Sequence, residues 1–218
     1  MEFEKFAHTY GRYNLIQKEV IKRYINSLAP RVVDLGCGSE GLCKYSDFEF
    51  YLGIDSSPSM LKLNPCNTKL LDFNDRECFE YLKRLDFEQI VSFSAIQWAR
   101  DLDFVFREIK NLNKSFLLAI FTSNTFKRLH NYLEVKSPIY SKEEILKSAG
   151  ILSPKTEILR YTLEFNSPKE MLEYIKFSGV RGNTSANYAN IKRFLKEFPF
   201  NTLEFEIVVL SGGDCRAC

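Results

Sequence analysis

The sequence predicts an α/β fold with a mostly parallel seven-stranded sheet, helices on both faces and a helical cover. Two observations predict it. From about residue 31 onward, short β-rich runs alternate with amphipathic helical runs, the order that builds a parallel sheet. Three consecutive runs, moreover, end in an acid around a glycine turn, and strand ends converge at the crevice where such folds bind ligands.

The elements follow in order. Leu15 to Leu28 carries Ile16, Val20, Ile21, Tyr24, Ile25 and Leu28 on one helical face, and Pro30 closes it. Strands are expected at Arg31–Leu35, Tyr51–Ile54, Thr68–Leu71, Gln89–Phe93 and Phe116–Phe121. Between the last two, Leu102, Val105, Phe106, Ile109 and Leu112 mark another helix. Ser141 with Glu144 forms a capping box for a helix running to Gly150. Ser167, Pro168 and Glu170 start a further helix that Gly179 stops. Thr156–Phe165 and Thr202–Leu210 alternate like strands and suit an antiparallel pair at one sheet edge, with the helices between them as cover. The whole chain, 1–218, reads as one domain: 1–30 an N-terminal helical cover, 31–121 a ligand-binding core, 122–200 a variable substrate-side region and 201–210 the last strand.

Composition narrows the class. The 218 residues carry a net charge of +2, too little to argue for nucleic-acid binding. No apolar stretch follows a basic start, and no uncharged apolar run approaches the ~20 residues of a membrane span. A cytoplasmic chain without membrane contact, and with no metal site, is expected. Its oligomeric state is open, with a monomer favoured. Cys37, Cys43, Cys66 and Cys78 read as free thiols serving as small apolar residues; Cys215-Arg-Ala-Cys218 is formally a C-x-x-C, read as a frayed tail in preference to a metal or redox site.

The chemistry concentrates in Arg31-Val-Val-Asp-Leu-Gly-Cys-Gly-Ser-Glu-Gly41. A strand ending near Asp34 enters a turn holding Gly36 and Gly38, where glycine permits positive φ and lets a ligand lie against bare backbone. A helix is expected to follow, presenting unpaired N–H groups to a carboxylate or phosphate. Asp55 ends the next strand, placed to accept hydrogen bonds from both hydroxyls of a ribose, and Asp72 ends the third. Gly36-x-Gly38-x-x-Gly41 also fits the dinucleotide fingerprint, so a nicotinamide cofactor competes. Against it, Asp34 would face a pyrophosphate with like charge.

Val33-Asp-Leu-Gly-Cys-Gly38 resembles the first motif of the class I S-adenosylmethionine (SAM)-dependent methyltransferases, and Gly53-Ile-Asp-Ser-Ser-Pro-Ser-Met-Leu61 their second. The resemblance covers residues 31 to about 121 and implies a Rossmann-like class I methyltransferase fold. It places Asp34 and Gly36 near the methionine part of SAM. Asp55 falls on the ribose, Asp72 and Phe73 on the adenine, and Gly38, Ser56, Met60 and Ser94 count as further cofactor-binding residues. Glu40 stands where that family usually has a third glycine, with Gly41 displaced by one.

A narrower resemblance spans nearly the whole chain. Phe6-Ala-His-Thr-Tyr-Gly-Arg-Tyr-Asn-Leu-Ile-Gln17, Ser92-Phe-Ser-Ala-Ile-Gln-Trp98, Phe121 to Leu129 and Met171 to Asn187 are similar in order and spacing to malonyl-acyl-carrier-protein O-methyltransferases of biotin synthesis. Trans-aconitate-type methyltransferases share the Gln-Trp element. Phe93 replaces a usual Asn, and Asn113-Lys-Ser115 a usual Pro-Gly-Gly turn. The resemblance implies methylation of the free carboxylate of malonyl-acyl carrier protein or malonyl-CoA, with S-adenosylhomocysteine as product. Tyr10 and Gln97 are candidates for shaping the site over the methyl group, though Tyr10 also suits packing and Gln97 helix capping. Arg100 and Arg181 are candidates for the substrate carboxylate, and Lys127–Arg128 and Lys192–Arg193 for a basic rim facing an acidic carrier. A small-acid methyltransferase of another kind, or a non-catalytic SAM-binding regulator, stays open beside this reading.

Overall fold

In a computed structural model, residues 14–177 and 187–213 are described. Helix α1 (Leu15–Tyr24) precedes β1 (Arg31–Leu35), β2 (Phe50–Asp55), α2 (Pro58–Leu63), β3 (Thr68–Leu70), α3 (Arg76–Leu82) and β4 (Gln89–Phe93). There follow α4 (Leu102–Asn111), β5 (Ser115–Phe121), α5 (Lys127–Leu133), α6 (Lys142–Ala149) and β6 (Lys155–Glu164). The last elements are α7 (Pro168–Phe177), α8 (Tyr188–Glu197) and β7 (Thr202–Gly212). Among the described residues, no helix is long and apolar enough to cross a membrane.

The seven strands form one sheet in the order β3-β2-β1-β4-β5-β7-β6. All neighbours run parallel except β7, which is antiparallel to both β5 and β6. The late strand pair lies at one edge as expected, with α7 and α8 in the connection between β6 and β7. Side chains alternate across the sheet and divide the core into two layers. Val32, Val91, Ala119, Phe121 and Phe205 point toward α1, α5, α7 and α8. Val33, Ile90, Leu118, Ile120 and Val208 point toward α3, α4 and α6. Strands buried on both faces read as near-continuous apolar runs, which is why β5, apolar from Phe116 to Phe121, was legible.

The connections place the site. From β1 the chain steps to β2 and β3 on one side, then returns to β4 on the other. That reversal is a switch point, and it opens a crevice beyond the carboxyl ends of β1 and β4. At the far side of this end of the sheet, Glu206 on β7 is buried. It accepts from Thr122 Oγ1 (3.0 Å), Asn124 Nδ2 (2.7 Å) and Arg160 Nη2 (2.9 Å). Burial alone would raise this carboxyl, but those donors outweigh it and hold it below the ordinary value.

Two local expectations are corrected. No α-helix follows the glycine turn, and a 3-10 turn at Leu42–Lys44 stands in its place. Gly36, Gly38 and Gly41 all have positive φ, so the backbone leaves helical space three times before β2 begins. Cys43 and Cys66 are not free thiols. They form a disulfide with Cα atoms 5.9 Å apart, while Cys37 and Cys78 are free and buried.

Candidate functional site

The crevice is built from the glycine turn outward. Gly36 N and Cys37 N both donate to Ile54 O, at 2.7 and 3.0 Å, which folds the turn over the end of β2. A Cβ at Gly36 would collide with Ala95 and lie 3.6 Å from the Phe73 ring. The glycine thus lets three strand ends close on one point. Gly38 N donates to Asp55 Oδ2 (2.9 Å) and Ser57 N to Asp55 Oδ1 (2.8 Å), so the carboxylate is held by backbone at both oxygens. Asn64 Nδ2 donates to Gly38 O at 2.7 Å, fixing the turn from the far side.

Asp34 is 3% exposed at the end of β1 and accepts from Tyr51 Oη at 3.0 Å. Burial raises its carboxyl to about 7, with the Tyr51 hydrogen bond pulling the other way and Asp55 adding a push. Burial also raises Asp55, against its backbone donors. Two carboxylates with raised affinity for protons make this a place where a cation is welcome.

A small pocket opens here, lined by Asp34, Gly36, Gly38, Glu40, Ser94 and, from α1, Asn14. Ser94 stands at φ +68, a backbone state that non-glycine residues enter at a cost and that gathers at functional sites. Its Oγ is buried without a hydrogen-bond partner among the described residues, as is Asn14 Oδ1. Asn14 is 2% exposed, and although it occupies the N-cap of α1 its side chain makes no capping bond. Both polar atoms are therefore left for something in the pocket.

The remaining predicted residues fall around this centre. Ser56 follows Asp55 directly, and Met60 is buried in α2. Asp72 accepts from Asn74 N and Nδ2, each at 2.8 Å, and Phe73 is part-buried beside Gly36. Gln97 sits in the 3-10 turn Ile96–Trp98, donates to Ser94 O at 2.7 Å, and keeps a buried Oε1 without partner among the described residues. Arg100 lies on the Asp72 side, bound to Asp75 at 2.7 Å and Asp72 at 3.4 Å. It is thereby paired with the chain's own acids. Tyr10 and Arg181 lie outside the described residues, as do the expected helix stop at Gly179 and the Cys215 to Cys218 tail. In the expected basic rim, Arg128 donates to Thr202 O (3.1 Å) and Arg193 to Tyr132 O (3.1 Å), so both brace their own fold.

Sequence reading missed Asn14, Tyr51 and Asn64. An Asn immediately before an amphipathic helix was a signal for an N-cap, but nothing local shows that its side chain turns into a pocket. Glu40 proves tethered: it meets Lys44 Nζ at 3.7 Å, Lys18 Nζ at 3.8 Å and Tyr45 Oη at 3.2 Å. It joins α1 to the glycine loop where a third glycine would have left bare backbone.

The fold is shared with known proteins. The YcgJ protein of Bacillus subtilis superposes with a TM-score of 0.59 at 12% identity, covering 91% of this chain and 97% of its own. A SAM-dependent methyltransferase of Archaeoglobus fulgidus gives 0.54 at 17% identity, covering 95% and 97%. The chain has the class I SAM-dependent methyltransferase fold. Curated relatives of this methyltransferase-fold chain include the malonyl-[acyl-carrier protein] O-methyltransferase of Haemophilus influenzae, 25% identical over 90% of this chain and 83% of that protein. The Halorhodospira halophila protein of the same name is 26% identical over 82% and 69%. No family profile matches the chain.

Proposed function

We propose that the chain is a SAM-dependent O-methyltransferase whose acceptor is the free carboxylate of a malonyl thioester, carried by acyl carrier protein or coenzyme A. The observation that carries the reading is the convergence of Asp34, Asp55 and Phe73 on one glycine turn at the switch point. The names of the curated relatives support the acceptor.

The residues present fit SAM better than a dinucleotide. Pyrophosphate sites use the N-terminus of a helix directly after the glycines, and here only a short 3-10 turn follows. Asp34 would repel a pyrophosphate, whereas a sulfonium and an ammonium favour its ionised form. Asn14 Oδ1 and Ser94 Oγ, without a partner among the described residues, suit a polar amino-acid end. Asp34, Gly36 and Gly38 would hold the methionine part, Asp55 the ribose hydroxyls, with Ser56 and Met60 beside it, and Asp72 and Phe73 the adenine. SAM supplies an electrophilic methyl group on a cationic sulfur.

For the acceptor no base is needed. A carboxyl of pKa about 4 is ionised roughly a thousandfold over its acid form at neutral pH. The chain's task is alignment in a dry pocket, where positioning supplies on the order of 7–11 kcal/mol. Gln97, fixed by Ser94 O, and Tyr10 are assigned that positioning role, and Arg181 remains the candidate cation for the acceptor carboxylate.

Isothermal titration with SAM, and separately with NADH, tests the cofactor. Mass spectrometry after adding malonyl-acyl carrier protein tests the acceptor. The expected result is SAM binding, a one-methyl mass gain, and loss of both in Asp55→Ala. Charge-assisted hydrogen bonds of ~1.5–3 kcal/mol make that loss at least tenfold in affinity. SAM binding with methylation of trans-aconitate instead would redirect the acceptor, and NADH binding without SAM binding would overturn the proposal.

A further inference from the structure

We propose that Cys43 and Cys66 form a reversible dithiol–disulfide modification site that sets the affinity of the adjacent glycine loop for its nucleoside ligand. The inference rests on the SAM-binding reading above and assigns it a form of control.

Cys43 lies in the 3-10 turn that replaces the expected helix, and Cys66 lies in the segment joining α2 to β3. A helix after the glycine turn would brace the loop through its own backbone ladder. The loop here lacks that ladder, and the disulfide ties it to a neighbouring segment instead. The tie reaches the site in two steps. Gly41, which lines the pocket, packs so closely on Cys66 and Asn64 that a Cβ there would collide with both Cys66 Sγ and Asn64 Oδ1. Asn64 in turn accepts from Cys66 N (2.9 Å) and donates to Gly38 O (2.7 Å), and Gly38 N holds Asp55 (2.9 Å). The disulfide, the loop and the ribose acid are thus links of one short chain of contacts.

The bridge is also reachable. Cys43 is exposed and Cys66 part-buried, so an incoming thiolate reaches the bridge from the Cys43 side. The reaction is thiol–disulfide exchange with a dithiol reductant, protein or small molecule. A reductant thiolate attacks one sulfur, the Cys43–Cys66 bond breaks and a mixed disulfide forms. The second reductant thiol displaces the released cysteine. Two electrons and two protons pass to Cys43 and Cys66 as the reductant becomes a disulfide.

The reduced loop loses its tie at Cys43 and samples conformations in which Gly38 and Asp55 no longer meet, so ligand binding must restore their order. Titration of SAM into the oxidised chain, and into the same chain reduced with dithiothreitol, reads this directly. We expect SAM affinity to fall of order tenfold on reduction. Cys43→Ser and Cys66→Ser should each match the reduced wild type and show no response to dithiothreitol. Circular dichroism on the reduced wild type separates loop loosening from unfolding without recourse to the variants. Equal affinity of the two forms within twofold would overturn the proposal. So would a dithiothreitol response that survives in both variants, or six free thiols in air-oxidised protein. If neither form binds SAM, it is the cofactor reading that fails.

Discussion

At the residue scale, Asp34 shows how a site can cost stability. It is a carboxylate taken out of water with one good donor, Tyr51 Oη. Burial raises it to about 7 from an ordinary value near 3.8, so between those values the folded chain holds a proton that the unfolded chain has released. A raised folded pKa means that this contribution is fully present below pH ~4 and is lost as pH rises through about 7. Asp34→Asn cannot titrate, so the unfolding free energy of the wild type relative to Asp34→Asn is expected to fall across that interval. Urea denaturation of both proteins at pH 4.5, 6 and 7.5 checks the slope, roughly as the linkage relation gives it. A flat difference would mean that water reaches the carboxylate. Asp34 and Asp55 were legible from sequence because glycine turns and acids at strand ends announce themselves locally. Asn14 and Tyr51 were not, because what recruits them is packing between segments that local patterning does not link.

At the element scale, the strands were readable and the connection after β1 was not. Apolar runs bounded by turn residues located β1 and β4 to the residue, Arg31–Leu35 and Gln89–Phe93. The capping box Ser141–Glu144 is present with both of its bonds, so α6 was equally plain. The expected helix after Gly36 failed because three glycines in left-handed space interrupt it, and because a disulfide bridges 23 positions of sequence that no periodicity links. The glycines themselves are not equivalent, which gives a prediction. Gly38→Ala meets no atom within 4 Å and bears only the left-handed backbone penalty of ~1–2 kcal/mol. Gly36→Ala bears the same penalty and also drives a methyl into Ala95, adding about 1–3 kcal/mol of overpacking. Thermal melts should therefore rank wild type above Gly38→Ala and Gly38→Ala above Gly36→Ala. The reverse order of the two variants would show that the turn at Gly36 relaxes away from Ala95.

At the scale of the whole molecule, two core layers share one sheet, and that sharing decides how the cover is held. Phe205 on β7 is 1% exposed and stands among three other rings, one each from β5, the N-cap of α5 and α7. Its centroid is 5.0 Å from Phe126, 6.1 Å from Tyr174 of α7 and 6.2 Å from Phe121 of β5. The edge-to-face contacts with Phe126 and Tyr174 couple the cover to the sheet, and the next residues of β7 turn Val208 into the opposite layer. Loosening the cover should thus loosen both layers together. Phe205→Ala removes the ring at the junction, and a buried Phe→Ala change costs about 3–5 kcal/mol. The expected outcome is a lower urea midpoint in a single transition, with near-ultraviolet and far-ultraviolet dichroism changing together. Aromatic signal lost well before helical and strand signal would instead show that α7 and α8 unfold ahead of the sheet, as a lid with its own stability.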